Sequence, residues 1–518
     1  FIKHTIGVMG RATIKSGSIN LLNTIIGAGI LAMPYGLKNN GLLFGCILII
    51  WSSLTSSMGL YLQNKVAKYT GQRGSVSYFS LSQLTYPNLS ILFDSAILIK
   101  CFGVGVSYLV VIGDLMPKIV ESLVGGGNIN LDSLLMARNF WITIFMIVIV
   151  TPLSYLKKLD SLKYTSILAL FSVGYLICLV VAHYFTTPTT SPSGGGGDDD
   201  DIVYHYIGPI SLKSTLSSFP IFVFAYTCHQ NMFAIINELK PSDTDGSQTR
   251  QSNLIIRNAI SIACLSYLIV GIFGYLTFGN SVNANIITMY PHNSISSLIG
   301  RLCIVVMVSL SFPLQCHPCR GSINHVIHFC THGVQQSKFR PTTTTITNNN
   351  NGDQHGYTSL SSDIESLQSI GGNDTTAGSI GSIGGGDSVV GDADESFIST
   401  TPVEGAQDTD GHDPIIVPMT TKKFYIITTV IVVLSYLVAI FVTSLAHVLA
   451  FVGSTGSTSI SFILPGLFGY LLIKPIEGNT SLNNLEKFCK YGGLFLAIWG
   501  ILVMIVCLSA TIFLGATH

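Results

Sequence analysis

Long apolar runs alternate with short polar ones along the chain. A helix that crosses a bilayer needs about 20 mostly apolar residues, because lipid offers no partner to unpaired backbone groups. Such runs fall near 17–37, 41–63, 91–115, 139–156, 161–185, 214–237, 254–278, 295–317, 422–444, 446–473 and 491–514. The fourth is short, and the ninth and tenth are nearly continuous. The pattern predicts an all-α polytopic membrane protein with eleven transmembrane helices. Residues 1–16 form a short N-terminal segment, helices one to eight occupy 17–318, a polar insertion fills 319–421, and the last three helices lie in 422–518.

Basic residues alternate from one loop to the next. With the N-terminus in the cytosol, 20 of the 26 Lys and Arg fall on the cytosolic side, from Lys3, Arg11 and Lys15 through Lys157, Lys158 and Lys163 to Lys474, Lys487 and Lys490. The opposite side holds Lys38, Lys118, Arg138 and Lys213. Cytosolic loops carry the basic excess in membrane proteins, and a miscounted helix would scramble this asymmetry downstream. The C-terminus is therefore expected outside the cell or in a lumen.

Composition agrees. Of 518 residues, 48% are hydrophobic and 10% charged, against about 25% charged in soluble domains, and mean hydropathy is +0.54. The net charge of zero averages unlike regions, since 12 of the 26 acids lie in 317–421 and four more form Asp198–Asp201. No basic excess points to nucleic acid. Seven of the eleven cysteines sit inside apolar runs, where Cys acts as a small hydrophobe. The stretch 186–201 (TTPTTSPSGGGGDDDD) reads as a flexible tether in the outer loop 186–213. The low-complexity stretch 333–418 is too polar to offset chain entropy and is expected to be disordered on the cytosolic side.

Two spans are interrupted by polar or conformationally permissive residues. The first carries Gly27 and Gly29 around Ala28 near its middle, which weakens helix there and frees backbone N–H and C=O groups. In lipid such a break is tolerated where it lines a polar cavity or is packed by protein. Free N–H groups suit a carboxylate, and free carbonyls suit a cation or an amine. The sixth span holds Thr227-Cys-His-Gln-Asn231 in mid-membrane, where polar residues are expected to face the bundle interior. Interruptions at corresponding positions of two five-helix halves point to an inverted-repeat secondary transporter with its site near the midplane.

Asn23-Thr-Ile-Ile-Gly-Ala-Gly-Ile-Leu-Ala-Met-Pro34 resembles the first-helix signature of the amino acid/auxin permeases, in the sodium-coupled neutral amino acid transporter branch and its vacuolar relatives. The segments Lys100–Pro117, Phe224–Asn231, Phe273–Gly279 and Val452–Gly466 are similar to further family motifs, in order and at family spacing. The resemblance implies ten helices in a leucine-transporter type 5+5 inverted repeat, one extra C-terminal helix, and alternating access. It also implies that Asn23, Thr24, Gly27, Ala28 and Gly29 contact the substrate amino and carboxylate groups, with Ala225, Tyr226 and Thr227 as the opposite wall. The cation site would combine groups near Asn23 with Ser309 and Ser311 of the eighth span. The outer loop lacks the cysteines of the plasma-membrane members, which favours a vacuolar or lysosomal location.

Two further residues are candidates for coupling. Lys100 lies roughly 13 Å into the third span at 1.5 Å per residue, where it must snorkel, pair or face a polar cavity. Asp94, six residues away, is poorly aligned to pair with it. A lysine there would be a structural cation or a substitute for a coupling ion. His229 adjoins the sixth-span break, where a structural imidazole or a proton-coupling one would both fit. Cys316-His-Pro-Cys319 with His325, His328, Cys330 and His332 mimics a zinc pattern, but Cys316–Arg320 matches a family helix end, and no metal is expected.

No nucleotide-binding or hydrolase signature occurs. The sequence therefore predicts no enzyme and no cofactor. It predicts a monomeric, gradient-driven transporter of neutral L-amino acids, coupled to Na⁺ or H⁺ in the plasma membrane or an intracellular one. A proton-driven vacuolar or lysosomal exporter, or an amino acid sensor using the same pocket, are the alternatives.

Overall fold

The computed structural model describes residues 13–70, 76–124, 134–156, 163–186, 203–239, 247–332, 419–475 and 482–515. The tether from 187 onward, the low-complexity stretch 333–418 and most of the N-terminal segment fall outside these ranges, while Thr186, its first residue, ends α8. All described residues belong to the unit Phe1–Pro341 with Gly405–His518.

Among the described residues every regular element is a helix. In chain order they are α1 (Ile14–Ile25), α2 (Met33–Asn40), α3 (Leu42–Val66), α4 (Tyr78–Thr85), α5 (Ser90–Val124), α6 (Arg138–Phe145), α7 (Thr151–Ser154) and α8 (Lys163–Thr186). There follow α9 (Leu212–Ala225), α10 (His229–Glu238), α11 (Ser247–Phe278), α12 (Ile295–His332), α13 (Thr421–Phe441), α14 (Leu445–Val452), α15 (Leu464–Leu472) and α16 (Asn484–Gly515). By length and composition nine described helical segments are able to cross a membrane, and the pair α1 with Ala28–Asn40, bent by 48°, passes jointly as a tenth. The fourth expected span is an apolar helix over Arg138–Ser154, shorter than the rest and carrying a π-turn at Met146–Val150. Length thus supports nine or ten crossings, where the apolar runs predict eleven.

Several helices outrun their apolar segments. The eighth, expected to end near 317, continues as α12 to His332 with Pro313 and Pro318 inside it. The long α5 and α12 pack together at the centre of the bundle, where small residues let the backbones close: a Cβ at Gly105 would lie 3.0 Å from the Phe312 ring. The tenth span is apolar at both ends but carries two π-turns, Gly453–Ser457 and Ser459–Ile463. A Cβ at Gly453 would sit 2.0 Å from Pro220 O, so α9 meets this stretch backbone to backbone.

At one end of the bundle α2 turns into α3 at Gly41, which takes φ +77°, a conformation glycine adopts without strain. Residues 203–210 lie over that turn, with Leu42 N–H donating to His205 O (2.8 Å) and Leu43 N–H to Tyr206 O (2.9 Å). Arg301 is fully buried at the same end and donates to Ile287 O (3.4 Å), Tyr290 O (2.5 Å) and Ser122 Oγ (3.0 Å), tying the loop before α12 to α5. Arg138 does similar work for α6, pairing with Asp114 (3.4 Å) and donating to Ala439 O and Val442 O at the end of α13.

Candidate functional site

Both expected breaks are present. In the first, α1 stops at Ile25, Ile26 is extended (φ −83°, ψ 96°), Gly27 takes φ −129°, ψ −143°, and a 3-10 turn over Ala28–Ala32 leads into α2. In the sixth span α9 stops at Ala225, and Tyr226 to Cys228 are non-helical before α10 starts at His229. Each break leaves the carbonyls of the half-helix before it and the N–H groups of the half-helix after it without intrahelical partners.

The two breaks touch. A Cβ at Gly29 would lie 2.8 Å from Ala225 Cβ and 2.9 Å from Ala225 Cα, an approach that only glycine permits. A Cβ at Gly27 would lie 3.1 Å from the hydroxyl of Tyr108 on α5. On the side of α1 and α10, Asn231 Nδ2 donates to Thr24 Oγ1 at 3.0 Å, and Thr24 Oγ1 donates to Asn20 O at 2.9 Å. On the other side, Asn40 Nδ2 donates to Ser218 Oγ at 2.8 Å, joining α2 to α9. Of the residues expected to form the substrate site, Gly27, Ala28, Gly29, Ala225, Tyr226 and Thr227 are thus brought together, all buried except the half-buried Gly27, with Thr24 one turn away. Asn23 lies on the same α1 turn and has polar partners of its own.

The sixth-span break is held by three neighbours. Ser56 Oγ on α3 donates to Tyr226 O at 3.0 Å. Thr227 Oγ1 donates to Val223 O at 2.7 Å. His229 Nε2 lies 3.1 Å from Ser56 O, which only accepts, so this nitrogen carries the proton. Its Nδ1 lies 3.1 Å from Ser461 Oγ, whose single proton also has Thr227 Oγ1 as acceptor at 3.2 Å. Gln63 on α3 is bonded to Tyr78 of α4 and donates to His229 O at 3.4 Å. A polar belt therefore joins α3, the break and the π-turns of the tenth span.

The coupling candidates are spread more widely. Lys100 is buried in α5, and its Nζ donates to Gln315 Oε1 of α12 at 3.3 Å. Gly456 in the first π-turn of the tenth span lies against the Lys100 backbone, where a Cβ would meet Lys100 N at 2.7 Å. Asp94 is not its partner, since that carboxylate pairs with His325 Nδ1 at 3.2 Å. His325 is thereby drawn away from Cys316 and Cys319, which are buried on α12. Ser309 and Ser311 donate back within α12, to Val305 O (2.6 Å) and Met307 O (2.7 Å). The 2% exposure of Ser309 sets it inside the bundle.

Two contributors escaped the sequence, and a third, Gln230, lies in the polar run 227–231 that the sequence marks. Tyr267 of α11 is one aromatic among many in an apolar run, yet its fully buried hydroxyl lies 2.8 Å from Ile25 O and 2.8 Å from Ala225 O. Ser461 stands in the Ser/Thr-rich stretch that carries a family motif, but nothing in its spacing marks it as the partner of His229. Gln230 is 2% exposed with neither side-chain polar atom hydrogen-bonded.

Residues 10–506 match the family described as transmembrane amino acid transporter protein. The chain is 42% identical to vacuolar amino acid transporter 6 of Saccharomyces cerevisiae over 97% of its own length and 99% of that protein's. It is 39% identical to vacuolar amino acid transporter 5 of the same yeast, over 98% and 99% of the two lengths. Human solute carrier family 38 member 8 is 25% identical over 57% of this chain and 64% of that protein. The chain belongs to the transmembrane amino acid transporter family, the amino acid/auxin permeases, and is a transporter rather than an enzyme.

Proposed function

We propose that this protein is a secondary active transporter of neutral amino acids, with the substrate held between the two helix breaks. The observation that carries this is the contact of Gly29 with Ala225, which brings the turn after the first break against the last residue of α9. The carbonyl ends of α1 and α9 carry partial negative charge suited to an ammonium, and the N–H ends after the breaks suit a carboxylate. Asn23, Thr24, Gly27, Ala28 and Gly29 would contact these groups, with Ala225, Tyr226 and Thr227 opposite. No charged side chain is among these eight residues, which favours a substrate without net side-chain charge.

Eleven crossings, with Arg138–Ser154 as a short fourth one, give the 5+5 repeat plus one that pairs the first break with the sixth. Rocking of one bundle against the rest would then expose the site to each side in turn. The N-terminus is cytosolic and the C-terminus outside or lumenal in this reading, as the basic residues favour. Na⁺ or H⁺ would supply the drive, through Asn23 with Ser309 and Ser311, through Lys100, or through His229. The yeast relatives are named vacuolar amino acid transporters, which favours a vacuolar location; in a second version a proton gradient would drive export from a vacuole or lysosome.

Uptake of labelled amino acids into proteoliposomes, with Na⁺ and pH gradients imposed separately, tests both versions. Flux of neutral amino acids raised by one gradient is expected. Equal flux with and without each gradient would refute coupling, and transport of charged amino acids alone would refute the substrate class.

A further inference from the structure

One hydroxyl serves both helix breaks. Tyr267 Oη lies 2.8 Å from Ile25 O and 2.8 Å from Ala225 O, so these oxygens are no more than twice that distance apart. Ile25 is the last residue of α1 and Ala225 the last of α9, so both carbonyls stand at the negative end of a half-helix dipole. A phenol has a single proton to donate. At any moment one carbonyl is served and the other faces only the lone pairs of the hydroxyl oxygen. The ring is held edge-on against Tyr226 at 5.0 Å and is fully buried, so the hydroxyl has little freedom to leave.

Two carbonyls and one hydroxyl oxygen at this spacing lack a donor with more than one proton. An α-ammonium has three N–H groups, enough for the unserved carbonyl and for the acceptor lone pair on Oη. We propose that Tyr267 is a positioning residue for the substrate amino group: its hydroxyl pins the carbonyl ends of both breaks and leaves one of them open to the ammonium. This rests on the proposed substrate site at the breaks. It adds that recognition of the amino group depends on a residue of α11, outside both broken helices.

The test is uptake by the full chain reconstituted in liposomes, using a labelled neutral amino acid competed by the 2-hydroxy acid with the same side chain. Tyr267→Phe keeps the ring and removes the donor. The KM for the amino acid is expected to rise about tenfold, with the maximal rate per folded protein within about twofold. Inhibition by the hydroxy acid, which brings no ammonium, is expected to shift less than threefold. An unchanged KM overturns the proposal, as does an equal shift for both compounds, which would indicate general distortion. Tyr267 replaced by p-aminophenylalanine, whose two N–H groups serve both carbonyls and leave neither open, is expected to raise the KM about tenfold. An unchanged KM there overturns the proposal even where Tyr267→Phe is not recovered folded. Gly29→Val separates the two levels. If it blocks uptake while the Tyr267 variants leave KM unchanged, the site stands and the role of Tyr267 falls. If it transports with unchanged KM, the breaks are not the substrate site and both fall.

Discussion

Gly29→Ala probes the contact on which the substrate site depends. The added methyl would lie 2.8 Å from Ala225 Cβ and 2.9 Å from its Cα, where carbon atoms at rest sit about 3.5–4.0 Å apart. Roughly 0.7 Å or more must open between the breaks, and no flexible side chain is there to absorb it, since the obstacle is backbone and Cβ. Overpacking of this kind costs about 1–3 kcal/mol, and each 1.4 kcal/mol is about tenfold in an equilibrium. The penalty falls on the arrangement in which the breaks meet, so the maximal rate is expected to drop about tenfold or more. Gly174→Ala on α8 is the control. Its methyl meets nothing within 4 Å, so the expected loss is about twofold or less. Initial uptake rates, normalised to monodisperse protein, measure both. Gly29→Ala transporting at the parental rate, or Gly174→Ala being the more damaging of the two, would refute the packing argument.

Arg301→Met leaves Ile287 O, Tyr290 O and Ser122 Oγ without their donor. At about 1–3 kcal/mol for each orphaned buried group, a clear fall in melting temperature is expected by thermal unfolding in detergent, and unchanged melting would contradict the tie. Lys100→Met removes a buried cation and leaves Gln315 Oε1 without that donor, a cost of about 1–3 kcal/mol. Folded protein is expected, with loss of stimulation by the ion gradient in uptake, and retained stimulation would remove Lys100 from coupling. His229→Gln loses a ring with a polar partner at each nitrogen, so melting should fall while the pH profile of uptake keeps its position. A displaced profile would give His229 the coupling proton. Asn231→Ala removes the bond to Thr24, worth about 1 kcal/mol, and is expected to raise cysteine-labelling rates between α1 and α10 by about fivefold.

The apolar runs and the positions of both breaks were legible because they follow from local rules. Lipid forces helix wherever the chain is apolar, and Gly27, Gly29 and the polar run at 227–231 violate that rule within a span. Lengths were less legible. The helix ending at His332 runs past its apolar segment because protein, not lipid, surrounds Arg320, whose guanidinium stacks on Phe424 at 4.0 Å and bonds Thr428. The first π-turn of the tenth span begins where Gly453 meets Pro220 O, a contact that local spacing does not reveal. Tyr267 could not be singled out, since its meaning lies in two carbonyls more than 40 residues away in each case. Lys100 and Asp94 show both outcomes: the poor helical alignment correctly argued against their pairing, but the true partners, Gln315 and His325, come from α12 and leave no trace in local spacing.

Counterflow tests the central claim most directly, because it needs a substrate site and alternating access but no ion gradient. Proteoliposomes loaded with unlabelled neutral amino acid are diluted into a trace of the labelled one. Transient accumulation of label above equilibrium is expected for the parent protein and its absence for Gly29→Val. No accumulation by the parent, with folding confirmed, or undiminished accumulation by Gly29→Val, would contradict transport through the paired helix breaks.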